Sequence, residues 1–235
     1  MFLKRKVIVL FSLLLCVCII SVITSNKINY SPVSAKILDR PQIILDAGHG
    51  GFDGGAVASD GTVEKDINLN ICLTLSKMLR SSGYEVIMTR SSDTSTEDNT
   101  QSKIASRKRN DLNNRLLLMK KYPNAVFVSV HLNKFTTSAA SGSQVFYSGK
   151  TDKSKLLGEK IQSKIINFLQ PENTRVNKQA TSSTFLLYNA TVPAVLVECG
   201  FLSNASELKK LKDEEYQQKM AFCIYCGISE YFSTT

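Results

Sequence analysis

The apolar positions of the chain alternate between two periods. Gln42 to Asp46 (Q-I-I-L-D) is a short apolar run that ends in the glycine-rich stretch Ala47 to Gly55, the pattern of a buried strand feeding a loop. Ile67, Ile71, Leu75, Met78 and Leu79 then recur at helical spacing, and Gly83 stands where a C-terminal cap belongs. Tyr84 to Thr89 predicts a second strand. From Ser91 to Arg109 the chain is rich in Ser, Thr, Asp and Lys and has no apolar period, which predicts a long exposed loop. Leu112, Leu116, Leu117 and Met119 resume a helix, and Ala125 to Val130 is an uninterrupted apolar strand ending at His131. Ser143 to Tyr147 predicts an edge strand. A helix follows from about Asp152 to Leu169, with Leu156, Leu157, Ile161, Ile165 and Phe168 as its apolar face. Ala194 to Val197 is one more buried strand, ending at Glu198, and a last helix spans about Asp213 to Phe232.

Strands alternating with helices predict an α/β fold: a mostly parallel mixed sheet with helices on both faces. In such sheets the functional crevice lies beyond the carboxyl ends of the strands. At 235 residues the chain suits one catalytic domain, placed at 42–235, plus an appendage. That appendage is residues 1–24, where Lys4, Arg5 and Lys6 precede an uncharged apolar run from Val7 to Thr24, the layout of an export signal or membrane anchor. We read it as an uncleaved anchor, with cleavage after Val33-Ser34-Ala35 as the alternative, and residues 25–41 as a linker. Either way the catalytic domain works outside the cytoplasm.

Charge changes this picture little. Residues 1–35 hold four of the 29 basic residues and none of the 20 acidic ones, which reduces the formal +9 of the whole chain to +5 for the remainder. A moderately basic exported domain suits polyanionic wall surfaces, and without an aromatic-interleaved basic strip no nucleic-acid partner is expected. The exported cysteines Cys72, Cys199, Cys223 and Cys226 make no disulfide framework, and Cys223-x-x-Cys226 falls in a helical pattern with no second pair at zinc-site spacing.

The candidate chemistry lies elsewhere. The chain has two histidines, His49 and His131, each just past the carboxyl end of a predicted strand. Glu198 takes the same place on a third strand, and Glu64 precedes the helix that leaves the glycine loop. Two imidazoles and a carboxylate form a known catalytic zinc set with a fourth position open to water. His49, Glu64 and His131 are therefore the expected ligands of one Zn2+, and Glu198 the expected general base and acid for cleavage of an amide. Asp46 or Asp53 is placed to orient a histidine ring, although an aspartate in a glycine loop is more often a turn residue.

Four segments, in order, carry a resemblance: Ile44 to Ala56 (I-L-D-A-G-H-G-G-F-D-G-G-A), Glu64-Lys65-Asp66, Ser129 to Asn133 (S-V-H-L-N) and Val197 to Asn204 (V-E-C-G-F-L-S-N). Together they resemble the zinc-dependent N-acetylmuramoyl-L-alanine amidases over residues 42 to about 232. The resemblance implies a single-zinc α/β domain that hydrolyses the bond between the muramic acid lactyl group and the L-alanine of the peptidoglycan stem. His49, Glu64 and His131 match its ligands and Glu198 its catalytic carboxylate; Asn133 matches a substrate-side or supporting asparagine, and Arg90 and Arg115 match recurring structural arginines. Ala47 departs from the usual proline before Gly-His, a change that bears on loop rigidity. A bare domain behind an N-terminal anchor, with Ser106-Arg107-Lys108 before Asp111-Leu112, is similar to the CwlD-type amidases of spore-cortex maturation and germination. It implies stem removal on the way to muramic-δ-lactam in the developing spore envelope, and dependence on an envelope activator or localisation protein. The competing readings are a zinc peptidase acting within the stem and a non-catalytic wall-binding relative, the latter disfavoured by the presence of Glu198.

Overall fold

The computed structural model describes residues 40–98 and 102–235. The export segment at 1–24 and the linker up to residue 39 lie outside the described residues. The elements run β1 Gln42–Ala47, α1 Glu64–Ser81, β2 Glu85–Met88, α2 Ile104–Lys121, β3 Val126–Asn133, β4 Gln144–Tyr147, α3 Asp152–Phe168, β5 Lys178–Gln179, α4 Phe185–Tyr188, β6 Ala194–Phe201, α5 Ala205–Leu211 and α6 Glu214–Thr234. Among the described residues no helix is long and apolar enough to cross a membrane.

Six strands form one sheet in the order β2-β1-β3-β6-β4-β5. The first four are mutually parallel, β4 runs antiparallel to β6, and β5 runs parallel to β4. Alternation along the central strands divides the core. Ile43, Leu45, Val128, Val130, Val195 and Val197 point to the face covered by α1, α3 and α6. Ile44, Phe127 and Ala194 point to the opposite face, where Met119 of α2 and Leu186 and Leu187 of α4 close over them. Strands buried on both faces read as continuous apolar runs, which is why β1, β3 and β6 stand out in the sequence. Where α3 and α6 cross, a Cβ at Gly227 would lie 2.5 Å from the Ile161 Cα, so the helix backbones meet with no room for a side chain. Helix α1 ends in the predicted glycine: Gly83 has φ +89°, its N–H donates to Arg80 O and that of Tyr84 to Leu79 O, the paired bonds of a Schellman cap.

Three expectations change. The predicted loop from Ser91 to Arg109 contains the first turns of α2, which starts at Ile104. The helix lacks an apolar period because its inward face is polar: Asp111 and Arg115 are buried with Met119, whereas Leu117 is 55% exposed. The strand at Ser143 to Tyr147 is not an edge, since the two-residue β5 pairs Lys178 and Gln179 beyond it. Phe168, assigned to the inner face of α3, is 58% exposed at the last turn. The four cysteines of the domain are all unpaired, and Cys72, Cys199 and Cys223 are buried, in line with a packing role.

Candidate metal centre

The centre forms where β1, β3 and β6 reach their carboxyl ends. Beyond Ala47 the backbone turns sharply, with His49 at φ +62° and Gly50, Gly51 and Gly55 also at positive φ. Two glycines create the space for the site. A Cβ at Gly48 would sit 2.3 Å from the His131 ring, and one at Gly55 would sit 2.6 Å from both Glu64 Oε2 and His49 Cδ2. Two arginines hold the loop from beneath. Arg90 donates to the carbonyls of Ala47 (2.9 Å) and Gly48 (3.0 Å), and Arg115 to those of Ala47 (3.0 Å) and His49 (2.7 Å). A left-handed histidine costs little in itself, and the Arg115 bond to its carbonyl fixes the choice.

Glu64 opens α1 and is buried. Its Oε2 accepts from Ala56 N at 2.8 Å, and its Oε1 from Leu132 N at 3.0 Å and from the Asn68 side chain at 3.3 Å. The same Oε1 lies 3.0 Å from His131 Nδ1 and 3.3 Å from His49 Nε2, and the two rings meet edge to face with centroids 4.9 Å apart. His49, Glu64 and His131 each offer a ligand atom within 4.8 Å of the others. Zinc bonds of 2.0–2.2 Å in tetrahedral geometry separate neighbouring donors by about 3.4 Å, so the donor set suits a single divalent ion.

Electrostatics point the same way. Burial alone would lower the His49 imidazole, but the carboxylates of Asp53 and Glu64 outweigh it and push the pKa up to about 9. Burial likewise works to raise Glu64, yet the two imidazoles hold its carboxyl far below the usual range. The cluster therefore demands positive charge at its centre, which protons or a cation can satisfy. Asp53 Oδ2 lies 2.9 Å from His49 Nδ1 and turns Nε2 toward Glu64, while Lys108 Nζ pairs with Asp53 Oδ1 at 2.9 Å.

Glu198 enters through the sheet ladder. It is the β6 register partner of His131 on β3, so the two side chains stand next to each other on one face. The residue is half-buried, but Oε2 is shielded from solvent and has no hydrogen-bond partner among the described residues. Burial pushes its carboxyl up to about 7, with Glu64 adding to the rise and His131 opposing it. A cavity of about 250 Å³ adjoins the cluster, lined by His49, Asp53, Lys108, Leu112, His131 and Leu186.

Of the remaining sequence candidates, Asn133 lies two residues beyond His131 at the end of β3, opposite Phe201, and is partly exposed. Asp46 is fully buried below the loop and hydrogen-bonds to neither ring. It accepts from Ser129 Oγ at 2.5 Å and Thr89 Oγ1 at 2.8 Å and is paired with Arg115. Sequence reasoning passed over two supporting groups. Asn68 follows Glu64 by one helical turn, a spacing that brings side chains together. Lys108 sits in a stretch read as loop, so its helical placement was hidden.

Comparisons with known proteins agree with this geometry. Residues 43–230 match the family model described as N-acetylmuramoyl-L-alanine amidase. The chain is 38% identical over 202 residues to the germination-specific N-acetylmuramoyl-L-alanine amidase of Bacillus subtilis (strain 168), covering 86% of this chain and 82% of that one. Among solved structures it is similar to the CwlD amidase from Clostridioides difficile in complex with the GerS lipoprotein, with TM-score 0.80 and 41% identity over 83% of this chain and all of that one. It is also similar to the N-acetylmuramoyl-L-alanine amidase from Clostridium difficile 630, with TM-score 0.71 and 30% identity, covering 83% and 98% of the two chains. Motif order, the grouping of donors at the strand ends and these likenesses converge, and the chain belongs to the N-acetylmuramoyl-L-alanine amidase family, whose members hydrolyse peptidoglycan.

Proposed function

We propose that the protein is a zinc-dependent amidase that strips stem peptides from muramic acid outside the cytoplasm, in the cortex of the developing spore. The observation that carries this reading is the register of β3 with β6, which puts an unpartnered Glu198 oxygen next to the cluster of His49, Glu64 and His131. His49 through Nε2, Glu64 through Oε1 and His131 through Nδ1 are the groups that would hold the ion, with Asp53 fixing the His49 tautomer. A divalent ion bound there would polarise the scissile carbonyl and lower the pKa of water towards ~7. Glu198 accepts the proton of the attacking water and returns it to the departing L-alanine amine, a double role that suits a carboxyl lifted towards neutrality.

Likeness to the germination-specific enzyme supports a role in cortex maturation, with muramic-δ-lactam formed after stem removal. The solved complex of a similar amidase with a lipoprotein supports reliance on an envelope partner for activation or localisation. If no envelope protein raises the activity of purified residues 42–235, that reliance is refuted. The amidase reading is tested by digesting purified peptidoglycan with and without chelator and weighing the products. Bare muramic acid and stems with free L-alanine amino termini are expected, and chelator abolishes both. Shortened stems still attached to glycan would instead identify a peptidase.

Metal affinity has a defined pH dependence. With its pKa near 9 in the ion-free domain, His49 carries a proton at neutral pH that a metal must displace. Apparent affinity should rise about tenfold per pH unit between pH 7 and 9 if one proton is released, as chelator competition would record. Because the His49 pKa is raised above the ordinary 6.5, its stabilising effect on the ion-free domain is complete below pH 6.5 and disappears as pH passes 9. Between those limits the ion-free domain loses stability while metal binding tightens. Affinity that is flat over this range would show that metal binding displaces no proton from His49 between pH 7 and 9.

A further inference from the structure

The row of side chains holding His131 and Glu198 continues one strand further. Gln144 on β4 is the antiparallel partner of Glu198, so it shares the same face and lies on the side of Glu198 away from His131. Its Oε1 accepts from Arg175 Nη1 at 3.0 Å, and its Nε2 donates to Val176 O at 3.0 Å. Arg175 is a half-buried residue whose guanidinium lies 4.9 Å from the centroid of the Phe201 ring, and its Nε donates to Ser141 O at 2.7 Å. All of these neighbours are uncharged. Among the described residues no carboxylate is within ion-pair distance of Arg175, and its Nη2 has no hydrogen-bond partner.

Of the other cations around the centre, exposed Lys134 donates only to Val57 O, and the rest are already committed. Lys108 is paired with Asp53, Arg115 with Asp46 and Asp111, and Arg90 donates to four backbone carbonyls. Glu207, which lines the same cleft as Arg175, has both carboxylate oxygens engaged by the N–H groups of Gly142 (2.7 Å) and Phe201 (2.8 Å). A guanidinium kept partly out of water without a counter-ion gains more than a surface one when a carboxylate arrives. Apolar surface flanks it, with Val176 70% exposed and Phe135, packed edge-on against Phe201, 50% exposed.

The substrate has one anionic half. Its glycan backbone is neutral, whereas the stem carries free carboxylates, the nearest being the α-carboxylate of the D-isoglutamate that follows L-alanine. We propose that Arg175 is a specificity-determining residue that pairs with this carboxylate, seating the stem on the Gln144 side of Glu198 and leaving the glycan on the His49 side. The proposal rests on the amidase reading and adds a direction to it.

The test compares glycan strands whose stems carry D-isoglutamate or its amide, D-isoglutamine. Arg175→Gln should lower kcat/KM on the acidic stems about tenfold to a hundredfold, mainly through KM, and leave the amidated stems at the wild-type value. Arg175→Lys should recover part of the loss. Equal losses on both substrates, or no loss on the acidic one, would overturn the proposal, since a residue that only staples loops makes no such distinction. Should the glutamine variant fail to fold, binding of the two dipeptide products to the wild-type protein decides. Tighter binding of the acidic dipeptide, weakened by salt, supports the pairing, and equal affinity refutes it. A wild-type protein that released no stem from either strand would overturn the amidase reading itself, while the dipeptide measurement would still report on Arg175.

Discussion

Alanine at His49 or His131 is expected to yield a folded domain that purifies without stoichiometric zinc and has lost at least ~10³ in peptidoglycan hydrolysis. The size follows from what an ion contributes to amide cleavage: several kcal/mol of charge stabilisation, at ~1.4 kcal/mol per factor of ten. Both substitutions remove a half-buried ring from the rim of the sheet and leave the apolar core untouched, so the ion-free domain should still fold, with some loss of stability where the ring had balanced a carboxylate. The two variants should differ in one respect. Both rings meet the Glu64 carboxylate, but only His49 also meets that of Asp53. Removing His49 takes one of two imidazoles from buried Glu64 and leaves half-buried Asp53 with Lys108 alone, so this variant should gain more stability than His131→Ala when pH is lowered. Elemental analysis and a pH series of thermal melts check both points. Full zinc content in either variant would remove that residue from the ligand set.

Glu198→Gln should keep the metal and lose turnover by ~10²–10⁴, the usual contribution of a positioned acid–base group. Glutamine preserves the shape of the side chain and its place opposite His131 in the sheet. It cannot accept the water proton. Since Glu198 Oε2 has no partner to lose, the substitution adds no buried orphan that the native protein lacks. Zinc content and melting temperature should match the wild type, which separates this variant from the histidine pair. Normal hydrolysis by Glu198→Gln would assign proton transfer to another group.

Much of this could be read from the chain because the fold is built from strands buried on both faces. Such strands appear as unbroken apolar runs, and the residues that close those runs, His49, His131 and Glu198, are placed by the rule that α/β crevices lie at the carboxyl ends, although β3 and β6 run on past His131 and Glu198 to Asn133 and Phe201. Glu64 was placed by the start of the α1 period. What escaped notice has a common physical cause. The inner face of α2 is built from Asp111 and Arg115, which satisfy Asp46 and the loop carbonyls, so an apolar period cannot reveal it. The two-residue β5 and the four-residue α4 are shorter than any period. Arg175 and Gln144 meet across 31 residues of chain, and no local pattern encodes the contact. Asp46 and Asp53 are both sequence candidates to steady a histidine, with Asp46 the one carried among the site residues; only the turn of the glycine loop brings Asp53 to His49 and sends Asp46 below the sheet rim to Arg115.

The pairing of His131 with Glu198 also bears on how enzymes of this kind diversify. Their relative position depends on backbone hydrogen bonds between two central strands, and side chains alternate faces along each, so slipping either strand by one residue would turn its reactive group into the greasy layer under α1, α3 and α6. The excursions that leave those strands carry no such constraint. Residues 134–139, which leave β3 and are exposed, can lengthen, shorten or be exchanged without disturbing the register of the reacting groups. New wall chemistries are thus reachable by grafting loops onto an unchanged hydrolytic core.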